Sequence, residues 1–506
     1  MRKKKALINS LFSMALEVVT IIAGFILPRL FIGTFGSETN GLVSSISSFI
    51  GYITLLQSGV GTVAKAAMYK PLAKKEHDEL CIIVRTVENF FRKIALITVI
   101  YIGVLFFLFP TLIAPEAGSF IYTGSLVVII GMSTAAQYFF GITYQMLLEA
   151  DQRSYVYSTI QLVTVICNTV ISIVLIKLGC SVQIVKLGSA IVYVLRPVVL
   201  SLYATRKYKI DKNVPINNAL IKQRWDGFAQ AIAYFIHSKT DVFVLTLFAR
   251  FSSNISLRLV SVYSVYALVT NGLTSFVRAI EKSVTSAFGN IIALEEKENL
   301  RRSFNAYNTF THILCTVFFA TASISVFNFI GVYVRNVTDA NYIQKAFGLI
   351  IITAEYMYCI RLPYNSIINA AGKFKETKRS AVFEAAINFI ISVLLVGKIG
   401  LVGVAIGTLS AMLYRTISFM FYLSKDVLEF TVLSQVKRYL ISLGTYFGLI
   451  AIASTITITT SNYFEWVIFA GCVFIICALT TLTVNFVLAN ADTKAVIKTL
   501  LKWRKK

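Results

Sequence analysis

YQMLLEADQRSYVYSTIQLVTVICNTVISIVLIKLG (residues 144–179) can be laid over YNSIINAAGKFKETKRSAVFEAAINFIISVLLVGKIG (364–400). The overlay matches Tyr144 with Tyr364, Ala150 with Ala370, Asn168 with Asn388 and Ser172 with Ser392, an offset of about 220 residues. A similar offset recurs where LRPVVLSLYATRKY (195–208) resembles YRTISFMFYLSKD (414–426), which sets Arg196 opposite Arg415. Nearer the start, LVSSISSFIGYI (42–53) aligns more weakly with LVSVYSVYALV (259–269). Repetition on this scale means two homologous halves rather than a solenoid of short units.

The surrounding sequence says what the halves are made of. Hydrophobic residues are 57% of the 506, charged residues 14%, and mean hydropathy is +0.73. Apolar runs of about twenty residues, each long enough to cross a bilayer, follow one another along the chain. Dividing the chain at charged and turn-rich breaks gives about fourteen spans: 7–34, 40–64, 94–114, 120–148, 155–177, 182–205, 225–250, 258–288, 305–332, 343–371, 380–398, 400–424, 436–459 and 464–488. The expected fold is therefore an all-α polytopic membrane protein. Each half holds six spans, an even number, so both begin on the same side and the repeats are parallel. This predicts an N-lobe over 1–212, a C-lobe over 213–430, and a last helix pair with a basic tail over 431–506, outside the duplication. The opening MRKKK imitates a signal peptide, but the apolar run behind it is too long and lacks a small-residue cleavage site, so it reads as a retained first helix.

The net charge of +24 does not point to nucleic acid. With a cytoplasmic amino terminus and alternating spans, most of the 48 Lys and Arg fall in cytoplasmic segments, a positive-inside pattern that also places the carboxyl terminus in the cytoplasm. KPLAKKEHDEL (70–80), RKYKIDK (206–212) and KTLLKWRKK (498–506) face that side, where they favour anionic lipid headgroups. The seven cysteines show no CxxC spacing and three scattered histidines bring no ligand cluster, so neither a metal nor a cofactor is expected. External loops are short, which leaves little room for the extramembrane catalytic groups of a glycan polymerase or ligase, and no phosphate loop or nucleophile elbow is present.

SGVGTVAKAAMYKPLAKKE (58–76), DVFVL (241–245), VSVYSVYALV (260–269), AFGNIIA (287–293), RLPYNSIINAAGKFKETKRSAVFEAAINFIISVLLV (361–396) and GLVGVAIGTLSAMLYR (400–415) together resemble the bacterial polysaccharide biosynthesis flippases, O-antigen type included, of the multidrug/oligosaccharidyl-lipid/polysaccharide exporter superfamily. The resemblance implies a MATE-like, V-shaped pair of six-helix lobes with an added helix pair. It also implies alternating-access transfer of an undecaprenyl-diphosphate-linked oligosaccharide to the outer leaflet of the bacterial cytoplasmic membrane. Partners would then be the glycan polymerase and glycosyltransferases of the same pathway. The added pair would either form a groove for the isoprenoid tail or simply pack at the periphery.

A diphosphate and a polar glycan cannot enter hydrocarbon unless a wet, positively lined cavity replaces their water. In-span basic residues are thus the substrate candidates: Lys239, Arg278, Arg361, Arg196 and Arg415, with Arg29 near the outer end of the first span. The charges in YFIHSKTDVFVLTLF (234–248) each cost about 2.5–3.5 kcal/mol at membrane depth. His237 and Asp241 share a helix face there, whereas Lys239 lies about 160° round from Asp241 and needs a partner elsewhere. Arg278, Glu281 and Lys282 share a face, either toward phosphate or in an interhelical contact. Arg361 precedes Pro363 and is expected to act as a ligand, to snorkel or to pair at a gate; the duplication of Arg196 and Arg415 favours architecture over contact. Carboxylates Glu17, Asp241, Glu281, Glu355 and Glu384, with His237, are the candidates for H+ or Na+ coupling or gating. Glu17, Thr20, Gly24 and Pro28 form a polar, bendable stripe, and Lys65 is expected to snorkel to the cytoplasmic surface. A cation-coupled small-molecule exporter of the same superfamily remains the alternative, and would want a more acidic lumen.

Overall fold

The computed structural model describes residues 2–57, 60–211, 213–217, 228–251, 255–426, 428, 432–456 and 458–489. Helices account for nearly all of them, and no strand occurs among the described residues. Twelve stretches are long and apolar enough to cross a membrane. The first of these, within α1 (Arg2–Gly51), is two spans: Gly36 has φ 82° and ψ 168°, a backbone that breaks the helix and that a side chain would resist. The second passage continues through a 3-10 turn at Tyr52–Gln57 into α2 (Val60–Lys74). Adding α8 (Phe228–Phe251) brings the total to the fourteen spans expected. This is a multi-pass membrane protein.

The first packing unit runs from residue 1 to 261. Besides α1 and α2 it contains α3 (His77–Leu108), α4 (Phe120–Ala136), α5 (Ile142–Ala150), α6 (Ser154–Lys177) and α7 (Val182–Tyr208). α4 and α5 are one continuous rod joined by a π-turn, Gln137–Gly141. α8, counted by the repeat with the second half, packs on α1 and on the 52–57 turn and so belongs to this unit. Ser45 and Thr246 hydroxyls meet at 2.7 Å, and the Phe49 and Phe243 rings lie 5.1 Å apart.

The second unit runs from 262 to 506. It holds most of α9 (Leu257–Ala293), then α10 (Lys297–Tyr333), α11 (Lys345–Ala370), α12 (Phe374–Ile399), α13 (Leu401–Asp426), α14 (Val432–Ser454) and α15 (Tyr463–Leu488). α10 and α11 are the most enclosed helices of this unit, burying Phe304, Phe319, Phe347 and Tyr356. α15 instead turns Phe464, Val467, Ile475, Ile476, Leu479 and Val487 outward, as a lipid-facing helix should.

Close helix approach fixes α12 against α13. A Cβ added at Gly407 would lie 2.2 Å from Ser392 Oγ and 2.9 Å from two backbone atoms of α12, so the helices would have to separate. Gly24, by contrast, has open space around it. Gly407→Ala is expected to cost about 1–3 kcal/mol and to lower the thermal unfolding midpoint in detergent, while Gly24→Ala leaves it unchanged or raises it.

Candidate functional site

The sequence places charges in the spans; the structure shows which of them are met. In the first unit a ladder of polar side chains crosses four helices. Lys65 Nζ on α2 donates to Glu149 Oε2 on α5 at 3.0 Å, with both side chains roughly a third exposed (31% and 28%). Lys65 is therefore paired across helices with a carboxylate rather than simply snorkelling. Gln145 Nε2 donates to the other oxygen of Glu149 at 2.9 Å, and Gln137 Nε2 to Gln145 Oε1 at 3.4 Å. Gln137 Oε1 accepts in turn from Arg196 Nη2 on α7 at 2.9 Å, while Arg196 Nη1 donates to Gln161 on α6.

Part of the charged HSKTD segment (237–241) is placed. α8 is helical through it, but the side chains of His237 and Lys239 lie outside the described residues. Asp241 is 2% exposed and sits within electrostatic range of Tyr52. Arg250, at the far end of α8, donates to the carbonyls of Thr111 and Leu112, at 3.0 and 2.8 Å. On α1, Glu17 and Arg29 are both exposed.

The second unit carries a closed counterpart. Arg361 Nη1 on α11 lies 2.9 Å from Glu384 Oε1 on α12, and Arg415 Nη1 on α13 lies 3.6 Å from Glu384 Oε2. All three are buried, at 6%, 5% and 4% exposure. Phe419 is shared beneath both guanidiniums, 5.7 Å from Arg361 and 4.4 Å from Arg415, and Tyr358 lies 5.2 Å from Arg361. One carboxylate thus holds two arginines, and the group keeps one surplus positive charge. Arg361 and Arg415, which the sequence offers as separate candidates, are brought together; Glu384, offered as a coupling carboxylate, is fully occupied.

Close by, Glu281 is buried and accepts from Asn365 Nδ2 at 2.6 Å, within electrostatic range of Arg278, Lys282 and Arg361. Arg278 is half-buried and Lys282 exposed. Glu355 accepts from Thr274 Oγ1 at 3.2 Å. α14 is built into this unit by a stripe at helical spacing: Gln435 with Asn308 (3.1 Å) and Tyr364 (2.9 Å), Ser442 with His312 (2.8 Å), and Tyr446 with Ser323 (2.8 Å) and Thr353 (3.0 Å). It is not a loosely attached peripheral helix. α15 adds a bond from Trp466 Nε1 to the Ser325 carbonyl at 3.1 Å.

The partners Glu149, Gln137, Gln145, Gln161 and Asn365 are not singled out by sequence, since lone amides look like ordinary polar residues. One signal was present: Gln145 and Asn365 occupy matching positions of the repeat, and each holds a buried or half-buried glutamate. No group of metal-ligating residues occurs among the described residues.

The buried triad makes an ordering test. Glu384→Ala leaves two buried guanidiniums without their carboxylate and is expected to cost about 3–5 kcal/mol. Arg415→Met should cost less, because the Arg361–Glu384 pair survives. Thermal unfolding of the purified variants in detergent reads the order; equal losses would contradict it.

No family model and no curated protein matches the sequence. Solved structures do. The lipid II flippase MurJ in an inward closed conformation superposes with a TM-score of 0.72 at 16% identity, covering 94% of this chain and 98% of that one. An outward-facing multidrug resistance MATE family transporter of the MOP superfamily gives 0.57 at 15% identity, over 83% and 94%. The Vibrio cholerae MATE transporter VcmN gives 0.56 at 13%, over 84% and 99%. The chain therefore has the fold shared by MurJ and the MATE transporters, and its matched length in the MurJ structure includes nearly all of both chains.

Proposed function

We propose that this protein is a transporter that moves an undecaprenyl-diphosphate-linked oligosaccharide from the inner to the outer leaflet of the bacterial cytoplasmic membrane by alternating access, with both termini in the cytoplasm. The observation that carries the reading is the surplus of positive charge in one side-chain network of each unit. Lys65, Glu149 and Arg196 sum to one positive charge in the first unit; Arg361, Glu384 and Arg415 do so in the second. A chain that keeps uncompensated cations within its spans needs an anion there at some point of its cycle. The diphosphate and acidic sugars of a lipid-linked glycan fit that need, and the MurJ-like fold makes a lipid-linked substrate the natural carrier of them.

In this reading Arg278, half-buried beside Glu281, is the substrate-facing arginine of the second unit, and Lys239 and Arg29 are further candidates. Arg361 and Arg415 serve the site through the architecture they hold. H+ or Na+ coupling is assigned to the buried Asp241 or to Glu355, which accepts from Thr274. The lobes are taken as 1–212 and 213–430, with 431–506 supporting the isoprenoid tail along α14 and α15. Basic segments 70–80 and 206–212 would sit against anionic lipids, and the polymerase and glycosyltransferases of the pathway would act on either side of the transfer step.

A small-molecule cation exporter would use accessible acidic groups inside the spans, and two of the buried carboxylates here, Glu384 and Glu281, already face arginine or an amide. Complementation separates the readings. In a bacterial strain lacking its polysaccharide flippase, the wild-type chain is expected to restore surface glycan, and Arg278→Ala at matched expression to reduce it by about tenfold or more. Failure of the wild type with several donor glycans, or full rescue by Arg278→Ala and Lys239→Ala alike, would contradict the proposed path.

A further inference from the structure

The duplicated arginines have diverged. Arg415 is sealed, with its charge shared on Glu384 and its ring contact on Phe419. Arg196 remains half-exposed, and the side chains that orient it are two neutral amides, Gln137 and Gln161. Amide oxygens hold a guanidinium in place without cancelling its charge. Its Nε is buried and makes no hydrogen bond. Along α7 it lies about 18 Å from the cytoplasmic end, at about 1.5 Å per residue, which is near mid-membrane.

Two features show that this geometry is built. The π-turn Gln137–Gly141 re-aims Gln137 out of the α4–α5 rod toward α7, and such turns gather at functional sites. Gly141 lets α7 approach: a Cβ there would fall 2.7 Å from both Pro197 Cβ and Gln137 Oε1. Around the guanidinium stand Tyr193, whose ring centre is 5.7 Å from its Cζ, and Tyr157, within electrostatic range of both Arg196 and Glu149. Gln137, Gln145, Gln161, Arg196 and Glu149 are each half-buried although they lie within spans, so the group is not sealed in packed core.

Amides, a carboxylate, a fork-shaped cation and aromatic faces are the groups that read sugars: amides and Glu149 pair with hydroxyls, tyrosines cover the apolar ring face, and a guanidinium takes a carboxylate in a two-pronged pair. We infer that the Arg196 cluster of the first unit is a saccharide subsite that receives a carboxylate-bearing sugar of the transported glycan. The inference rests on the glycan-transport reading and adds the substrate class that this unit recognises.

The test uses water-soluble probes on the purified full chain in nanodiscs: a hyaluronan tetrasaccharide, alternating glucuronate and N-acetylglucosamine; neutral chitotetraose; and inorganic pyrophosphate. The hyaluronan probe is expected to bind more tightly than chitotetraose, and Arg196→Gln to weaken it by roughly tenfold or more while leaving chitotetraose and pyrophosphate unchanged. Gln161→Ala, which keeps the charge but frees the fork, should give a smaller loss and covers the case in which Arg196→Gln does not fold. Absence of hyaluronan binding, or binding indifferent to both substitutions, overturns the subsite; loss of pyrophosphate binding in Arg196→Gln makes it a phosphate site instead. The probes carry no lipid, so saccharide binding without lipid transfer would defeat the transport reading alone, and transfer without Arg196-dependent binding would defeat the subsite alone.

Discussion

A guanidinium or carboxylate carried into hydrocarbon must meet a partner, a hydrogen-bonding surround or water, because no other arrangement repays its lost hydration. That constraint shapes this protein from its turns to its site. Backbone groups are satisfied within helices, apolar faces of helices such as α15 point outward, and in-span charges are drawn into side-chain networks linking neighbouring helices. The two networks differ in how they satisfy it. Glu384 neutralises one charge of a buried pair of arginines and ties α11, α12 and α13 together at one level. Arg196 is steadied by amides and keeps its charge.

Arg196 and Arg415 occupy matching places in the overlay of the two halves of the sequence, as do Gln145 and Asn365. What differs is the acidic partner. In the first unit it sits on α5 as Glu149, in reach of Lys65; in the second it sits on α12 as Glu384 and on α9 as Glu281.

Most of the fold could be read from the sequence, since hydropathy and the repeat report burial in lipid and duplication directly. The break at Gly36 and the count of spans follow from those signals. The networks could not be read in the same way. Periodicity says which side of one helix a residue occupies, but pairing across helices depends on rotation and depth, which depend on every neighbour. Lys65 looked like an end-of-helix lysine until Glu149 was found beside it, and Arg361 and Arg415 looked like separate candidates until Glu384 joined them. α14 was ambiguous for the same reason: its stripe Gln435, Tyr439, Ser442 and Tyr446 is legible, yet its partners on α10 and α11 are far away in sequence.

Transfer itself is the central claim. Reconstituted into liposomes with a fluorescent undecaprenyl-diphosphate-linked oligosaccharide in both leaflets, the wild-type chain should make the inner-leaflet pool accessible to an externally added quencher or glycosidase, and protein-free vesicles should not. A pool that stays protected at every protein-to-lipid ratio, with the chain folded and inserted, would contradict the account.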